Sequence, residues 1–176
     1  MATLQAILDA TAHFLVEEAD FDTNRVAQRA GVSIGSLYQY FPNKQALLSA
    51  LIERRVREKI ARLSELATEG TTPERRIEHA IDFFIADKRA GLALEQALLV
   101  HFQRVGDLRA IAALDEPALS TLAPLVGGSL RAFVLFHGVR AALLAASLAR
   151  PDALADGSLR SELIMLARGY LHEADR

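Results

Sequence analysis

Apolar residues recur every three or four positions along almost the whole chain, which is the spacing of one face of an α-helix. Ile7, Leu8, Phe14 and Leu15 show this spacing near the N-terminus, and the stretch 47–63 repeats it. No alternating run of β-branched residues occurs in the sequence, so the usual signal of a half-buried strand is missing. The sequence therefore predicts an all-α fold.

Glycine, proline and capping residues divide this pattern into separate helices. Gly31 follows a short helix over 24–30, at the place where a left-handed residue ends a helix. Ser33 and Asn43 are predicted to cap the next two helices, and Pro42 ends the first of them. The segment 70–73, Gly-Thr-Thr-Pro, is the clearest boundary in the chain. Beyond it the pattern predicts helices over 73–88, 92–105, 116–126, 129–149 and 158–175.

The composition limits the class of protein and its compartment. The chain has 176 residues, of which 51% are hydrophobic, so it can bury a sizeable core. It has no cysteine, which excludes disulfides, zinc–thiolate sites and thiol nucleophiles and fits a reducing compartment. We identify no signal peptide, and the longest apolar stretch, 139–149, is too short to span a bilayer. We therefore expect a cytoplasmic protein with no membrane partner.

Charge is distributed unevenly along the chain. The net charge is −2, which disfavours non-specific coating of nucleic acid. The window from Asn24 to Lys44 nevertheless holds three basic residues and no carboxylate, and the segment before it is acidic. This pattern indicates a focused contact with phosphates rather than a broad basic surface.

The segment between the second and third helices has the pattern of a helix-turn-helix. The second helix must end abruptly, turn through Ala30-Gly31-Val32 and present the third helix at a steep angle. Val26, Ala27 and Leu37 can form the small core that fixes this angle. In such a motif the third helix enters the major groove of DNA.

The run from Asn24 to Lys44, NRVAQRAGVSIGSLYQYFPNK, resembles the DNA-binding signature of the TetR family. The preceding ILDATAHFLVEE, over 7–18, resembles that family's first helix, so the match extends over about residues 3 to 52. The resemblance implies a three-helix helix-turn-helix DNA-binding domain over 1–48. Over 49–176 it implies a helical domain that binds an effector and forms a dimer.

The resemblance also implies which residues contact DNA. Residues at the start of the second helix would meet a phosphate, and the exposed part of the third helix would face base edges and the nearby backbone. Tyrosine hydroxyls and a lysine would bind further phosphates. The implied DNA-binding residues are Thr23, Asn24, Ser33, Ile34, Gly35, Ser36, Tyr38, Gln39, Tyr40 and Lys44.

The sequence departs from the family pattern at two places. The family usually begins with a basic arm, whereas this sequence begins without one. The family also has about three more residues between the first two helices, where this sequence runs Asp20-Phe21-Asp22-Thr23. We therefore expect weaker support for a contact by Thr23 than for contacts by Tyr38 and Lys44.

The second half of the sequence predicts a binding and assembly domain. Aromatic and histidine residues on apolar faces can line an effector pocket or simply fill the core. The predicted effector-binding residues are Phe83, Phe84, His101, Phe102, Phe133 and His137. The stretch 129–149 is apolar on nearly all sides, which requires a second packing surface. The predicted dimer interface comprises Gly138, Ala141, Ala142, Ala145, Leu163, Leu166 and Tyr170.

These observations lead to one main hypothesis and two alternatives. The main hypothesis is a homodimeric repressor that binds double-stranded operator DNA and is released by a small-molecule effector. One alternative is a helical effector-binding protein whose DNA binding is weak or lost. The other is an all-helical enzyme acting through His101 or His137, although the sequence contains no recognised catalytic motif. We predict no catalytic residue, cofactor or metal.

Overall fold

The structure is a computed structural model and describes residues 2–18, 21–68, 72–102 and 113–172. Every segment of regular structure in these ranges is a helix, so the all-α prediction is confirmed. The helices are α1 (Ala2–Glu18), α2 (Thr23–Arg29), α3 (Ile34–Tyr40), α4 (Lys44–Thr68), α5 (Pro73–Phe102), α6 (Glu116–Val126), α7 (Ser129–Ala149), α8 (Pro151–Ala155) and α9 (Ser158–His172).

The chain divides into two compact units. The first comprises the described residues of Met1–Arg57 and Leu92–Ala113, and the second those of Glu58–Gly91 and Leu114–Arg176. We call them the N-terminal unit and the C-terminal unit. A functional boundary between residues 48 and 49 stays a prediction.

The core of the N-terminal unit is built from the faces of α1 to α4 that the apolar spacing marks. Ile7, Leu15, Leu37, Leu47 and Leu51 are its most deeply buried large side chains. Residues from the C-terminal part of α5, around Leu94 and Leu98, also belong to this core. Burying each such side chain contributes about 1.5–3 kcal/mol, so this core fixes the positions of the short helices α2 and α3.

The helix caps predicted at Ser33 and Asn43 are present. The Ser33 hydroxyl accepts a hydrogen bond from the Ser36 N–H at 3.0 Å, and Asn43 Oδ1 accepts one from the Ala46 N–H at 2.8 Å. Thr72 Oγ1 accepts one from the Arg75 N–H at 3.4 Å at the start of α5. These bonds satisfy backbone donors that the first turn of a helix leaves unpaired. Residues 70 and 71 of the predicted boundary lie outside the described residues.

The prediction of two helices over 73–88 and 92–105 is wrong, because α5 runs unbroken through Pro73–Phe102. Gly91 lies inside this helix and is not among the glycines with positive φ. A single interior glycine costs a helix about 1 kcal/mol relative to alanine, which packing can offset. Gly91 itself is buried, as is Leu94 one turn later. Residues 103–105 and 173–175 of the predicted helices lie outside the described residues.

The C-terminal unit packs parts of α4 and α5 with α6 to α9. Its core includes Ile81, Val126, Leu135, Leu143 and Leu163, which belong to four of these helices. The turn from α6 to α7 consists of two glycines with φ of 78° and 144°, a region that side-chain-bearing residues rarely adopt. The short helix α8 was not predicted, although Pro151 marks its start.

Helix α7 is longer than the apolar stretch seen in the sequence. With 21 residues and a mean hydropathy of 1.7 in its most apolar window, it could cross a membrane by length and composition alone. One side of α7 is nevertheless buried in the core of its own unit, through Leu135, Val139 and Leu143. Arg131 and Arg140 also lie along it. We therefore interpret α7 as a core helix with one exposed side.

Candidate nucleic-acid interface, apolar cavity and exposed helix face

The turn between α2 and α3 is fixed by local hydrogen bonds. Gly31 has φ of 70°, as predicted for the residue that ends α2. Its N–H donates to the Gln28 carbonyl at 3.1 Å, and the Val32 N–H donates to the Ala27 carbonyl at 3.0 Å. These bonds satisfy the last carbonyls of α2, as in other helix ends that close on a left-handed glycine. The chain then enters α3 in a single orientation.

Helix α3 has one buried side and one exposed side. Leu37 is only 1% exposed, and Phe41 just after the helix is also buried, so both residues anchor α3 to the core. The rest of the helix surface is open to solvent and carries four predicted DNA-binding side chains and one glycine: Ile34, Gly35, Tyr38, Gln39 and Tyr40. Ser36 is half-buried, and its hydroxyl lies 2.9 Å from that of Ser33.

Gly35 has no structural requirement within its own unit. It does not have a positive φ, and a Cβ atom built on it would meet only Ser33 Oγ at 3.8 Å, an ordinary van der Waals distance. Glycine lowers helix stability by about 1 kcal/mol relative to alanine, so this position costs stability with no gain from packing. The missing side chain leaves free space on the exposed side of α3.

The remaining predicted phosphate contacts lie close to α3. Thr23 Oγ1 and the Tyr38 hydroxyl are 3.1 Å apart and share a hydrogen bond. Lys44 Nζ donates to the Phe21 carbonyl at 2.8 Å and lies 4.3 Å from the centre of the Phe21 ring. The structure therefore brings Thr23, Tyr38 and Lys44 to one edge of the helix-turn-helix. Asn24, at the start of α2, is exposed.

Two carboxylates occupy the start of α2 and its neighbourhood. Asp22 caps α2, because its Oδ1 accepts a hydrogen bond from the Asn24 N–H at 2.7 Å and another from Asn24 Nδ2 at 3.1 Å. The backbone hydrogen bond from Asn24 holds the pKa of the Asp22 carboxyl below its usual range. Glu18 accepts two hydrogen bonds from Arg25, at 2.5 and 2.6 Å, and these lower the pKa of Glu18. The guanidinium of Arg25 is thus already engaged.

The C-terminal unit contains an apolar cavity of about 80 Å³. Its walls come from α4, α5, α6, α7 and α9, and no charged side chain lines it. Of its two hydroxyl-bearing residues, Thr121 donates its hydroxyl hydrogen to the Pro117 carbonyl at 2.8 Å. The lining residues are Leu63, Ser64, Ile77, Ala80, Ile81, Phe84, Ala118, Thr121, Leu122, Leu125, Leu135, Phe136, Val139 and Ala167.

The predicted effector-binding residues do not all meet at this cavity. Phe84 lines it and packs edge-to-face on Phe136, with ring centres 6.0 Å apart. Phe83 contacts Phe84 but does not line the cavity. Phe133 is 52% exposed, and the ring of His137 lies 4.4 Å from it. Neither residue lines the cavity, although the His137 ring packs edge-to-face on Phe136, which does. The side chains of His101 and Phe102 lie outside the described part of the structure.

The predicted dimer residues divide into exposed and covered ones. Gly138, Ala141, Ala145 and Leu166 are exposed, and Ala142 and Tyr170 are half-buried. Leu163 is only 3% exposed and belongs to the core of its own unit, so its side chain is not available to a partner.

A continuous apolar row follows the exposed side of α7, which we call the α7 stripe. It combines three large residues with the three small ones already named, and successive members are three or four positions apart. Met165 and Leu166 on α9 are exposed as well. The stripe consists of Leu130, Val134, Gly138, Ala141, Ala145 and Leu148.

Two of these features, the apolar cavity and the position of Asp22, could not be predicted from the sequence pattern. The cavity is lined mainly by Leu, Ile and Ala, which are indistinguishable from core residues in a sequence pattern. Asp22 was recognisable as an acidic residue before α2, but its position beside the predicted phosphate contacts depends on tertiary structure. Within the described ranges, no three His, Cys, Asp or Glu side chains are close enough to hold a metal ion.

A helix-turn-helix with an exposed third helix places the chain in the class of all-helical DNA-binding proteins. Residues 7–51 match the sequence model described as bacterial regulatory proteins, tetR family. A search of curated proteins found no match.

Comparison with solved structures extends the likeness to the whole chain. A TetR-family transcriptional regulator from Streptomyces coelicolor shares 26% identity, with 98% of this chain and 99% of that chain covered and a TM-score of 0.71. NemR from E. coli, in its reduced form, shares 16% identity at 96% and 97% coverage, with a TM-score of 0.73. A TetR transcription regulator from Haloarcula marismortui shares 20% identity at 97% coverage of both chains, with a TM-score of 0.70.

The resemblance to the TetR family is thereby confirmed. The N-terminal segment matches the family's own sequence model, and the whole chain takes the fold of its regulators. This fold supports a role in DNA-binding transcriptional regulation.

Proposed function

We propose that this protein is a cytoplasmic homodimeric repressor that binds operator DNA through α3 and is released by a small-molecule effector. The observation that carries the DNA-binding part is Gly35, which leaves free space on the exposed side of α3 although its own unit does not require a glycine. The absence of a side chain at this position would allow the backbone of another molecule to approach α3 closely. Tyr38 and Gln39 are exposed beside it. The tyrosine hydroxyl can donate a hydrogen bond to a phosphate, and the glutamine amide can pair with a base edge.

The remaining contacts of the proposed interface follow from their positions around α3. Ile34 is exposed and can touch a thymine methyl group. Ser33 and Ser36 lie at the start of the helix, and their hydroxyls are the groups that would bind phosphate oxygens. Tyr40 and Lys44 are assigned to the DNA backbone. Thr23 and Asn24 complete the set at the start of α2.

The experiment is a DNA-binding titration with Gly35→Ala. A duplex is first selected by the wild-type protein from a random library, and binding is then followed by fluorescence anisotropy. We expect Gly35→Ala to bind about tenfold or more weakly, since a lost close contact of about 1–3 kcal/mol corresponds to that range. The same change should keep or raise the melting temperature, because alanine favours a helix.

The matched control is Gly169→Ala, which makes the same substitution in α9, where an added Cβ meets no atom within 4 Å and is likewise free of close contacts. It should leave DNA affinity unchanged. Equal binding by wild type, Gly35→Ala and Lys44→Ala would rule out α3 as the DNA-binding helix. In that case the alternative of a helical effector-binding protein without strong DNA binding would be favoured.

Homodimerisation is supported by the α7 stripe. The exposed residues Leu130, Val134 and Leu148 are part of one contiguous apolar surface, because small exposed residues fill the positions between Val134 and Leu148. A contiguous exposed apolar surface marks an interaction site. A second copy of the same face is the simplest partner, since a two-fold contact is self-complementary. Leu166 on α9 joins this proposed interface.

The effector part of the proposal rests on the apolar cavity. Pockets for drug-sized ligands usually measure about 300–1,000 Å³, so this cavity is small in the present state. An effector larger than a few atoms must therefore displace the cavity walls. One wall belongs to α5 at Ile77 and Ile81, and the same continuous helix continues to Leu94 and Leu98 in the core of the N-terminal unit.

Such a displacement gives the ligand different affinities for two states of the protein, which is the condition for allosteric release. The cavity lacks charged groups, so small uncharged apolar compounds are the probes to add to the preformed DNA complex. Leu122→Trp fills the cavity and should abolish release while preserving DNA binding. Release that persists in Leu122→Trp would place the effector elsewhere.

A further inference from the structure

Asp22 lies between the two ends of the proposed phosphate-binding edge. On one side of it, the Phe21 carbonyl accepts a hydrogen bond from Lys44 Nζ at 2.8 Å. On the other side, Thr23 Oγ1 is 3.1 Å from the hydroxyl of Tyr38. Adjacent Cα atoms are only about 3.8 Å apart, so Asp22 is directly next to both contacts.

The Asp22 carboxylate is held in place and remains charged. Its Oδ1 accepts hydrogen bonds from the backbone and the side chain of Asn24, at 2.7 and 3.1 Å. The backbone bond lowers the pKa of Asp22, so the group is ionised throughout the neutral range. The same bond occupies the Asn24 N–H, which is therefore not available to a phosphate.

The cationic side chain that follows Asp22 most closely in α2, that of Arg25, is already paired. Arg25 donates two hydrogen bonds to Glu18 and lies 4.6 Å from the centre of the Phe14 ring. Its charge is thus largely offset by Glu18. Arg25 also attracts Asp22 electrostatically. Because its charge is paired with Glu18, Arg25 offsets only part of the field that Asp22 presents to a phosphate near Tyr38 and Lys44.

We propose that Asp22 is a repulsive element within the DNA-binding surface, which lowers the affinity for duplex DNA of any sequence. The inference rests on the proposed function, because it requires α3 and its neighbours to face DNA. A like charge near the contact opposes binding without reading bases, so it reduces non-specific occupancy and leaves selectivity to α3. Asp22 therefore determines the balance between specific and non-specific binding.

The expected effect follows from Coulomb repulsion at a hydrated surface. Two unit charges about 8 Å apart in water repel each other enough to change an equilibrium about two- to threefold. A dimer carries Asp22 twice, so removal of the charge should raise affinity by about four- to ninefold at low salt. The gain should shrink as salt rises, because screening extends over about 10 Å at 0.1 M.

The test uses Asp22→Asn and Asp22→Ser, which retain an acceptor for the Asn24 N–H and remove the charge. The probe is a random-sequence duplex of about 30 base pairs at about 50 and 200 mM salt, so no operator needs to be known. The matched control is Asp156→Asn. Asp156 also accepts a hydrogen bond from a backbone N–H two residues later, that of Ser158 at 2.8 Å, and this bond likewise lowers its pKa.

The inference is supported if both Asp22 variants bind tighter than wild type, by an amount constant between about pH 6 and 8, while Asp156→Asn binds as wild type does. It is overturned if the Asp22 variants bind no tighter than wild type although Gly35→Ala weakens binding. In that outcome the DNA-binding proposal still stands. If no form binds duplex DNA even at low salt, the proposed function and this inference fail together.

Discussion

The exposed sides of α3 and α7 each contain a glycine, but the side chains around the two glycines differ in chemistry. Each contains a glycine inside a helix, Gly35 in α3 and Gly138 in α7. A Cβ atom on Gly35 would meet only Ser33 Oγ at 3.8 Å, and one on Gly138 would meet no atom within 4 Å. In neither unit does internal packing explain why the helix accepts the cost of a glycine.

The side chains around the two glycines are chemically opposite. Gly35 is accompanied by the hydroxyl of Tyr38 and the amide of Gln39, whereas Gly138 lies between Val134 and Ala141 on the α7 stripe. Hydroxyls and amides bind a partner rich in hydrogen-bond acceptors, and an apolar row binds another apolar row. The comparison teaches that the same local feature, a helical glycine without a packing role in its own unit, occurs in two proposed interfaces, and that only the surrounding residues indicate which partner each would bind.

The largest expected effect is on the α7 stripe. Val134→Asp would place a charge without a partner inside the proposed dimer interface, and such a burial costs several kcal/mol. We expect dimerisation to weaken about 100-fold or more, measured as the mass in solution by analytical ultracentrifugation. DNA affinity should fall with it, because two recognition helices bind together in a dimer.

The matched control for this change is Val16→Asp in α1. Val16 is 48% exposed and Val134 is 46% exposed, so the two substitutions differ mainly in the surface that they alter. Val16→Asp should leave the mass unchanged. A Val134→Asp protein that remains dimeric would show that the α7 stripe is not the dimer interface.

A smaller effect should separate the two glycines from each other. Gly138→Leu adds bulk where two helices are proposed to approach closely, and overpacking costs about 1–3 kcal/mol. We expect dimerisation about tenfold weaker or more, with the isolated α3 surface unaffected. Gly35→Leu should do the opposite, since it blocks DNA binding and leaves the mass of the dimer unchanged. If Gly138→Leu and Gly35→Leu changed dimerisation and DNA affinity to the same extent, the proposal that α7 forms the dimer and α3 binds DNA would be contradicted.

The smallest effect concerns the ion pair that joins α1 to α2. Hydrogen bonds from Arg25 lower the pKa of Glu18 in the folded protein, so its contribution is present above the usual pKa of a glutamate. That contribution is lost as pH falls through the lowered folded value. We expect Glu18→Gln to reduce thermal stability slightly at neutral pH, and the difference from wild type to vanish in strong acid.

The size of this last effect is limited because both partners are exposed and surface ion pairs contribute little. Melting temperatures at several pH values will measure it, with Glu162→Gln, an exposed carboxylate on α9, as the control. A gain in stability on Glu18→Gln at neutral pH would contradict the prediction. Together with the DNA titrations, the variant shows whether the α1–α2 ion pair matters for the α3 surface.

The sequence by itself determined the helical class, most helix ends and the helix-turn-helix, because these depend on neighbouring residues. Ser33, Asn43 and Thr72 cap the helices they precede, and Gly31 takes its left-handed conformation, through bonds to residues a few positions away. The break predicted before Leu92 failed for the complementary reason. Packing around α5 decides whether its interior glycine ends the helix, and this packing cannot be predicted from the neighbouring residues in the sequence.

Only the tertiary structure decided which apolar residues are core, cavity lining or exposed surface. Helical spacing showed that Leu163 and Leu166 share a helix, but not that the core covers the first and leaves the second exposed. It likewise could not separate Phe84 in the cavity wall from Phe133 at the surface. Periodicity identifies a face, whereas the elements packed on that face determine what covers it, and they come from distant parts of the chain. For the same reason, only the folded structure shows that Asp22 directly precedes the residue whose hydroxyl contacts that of Tyr38.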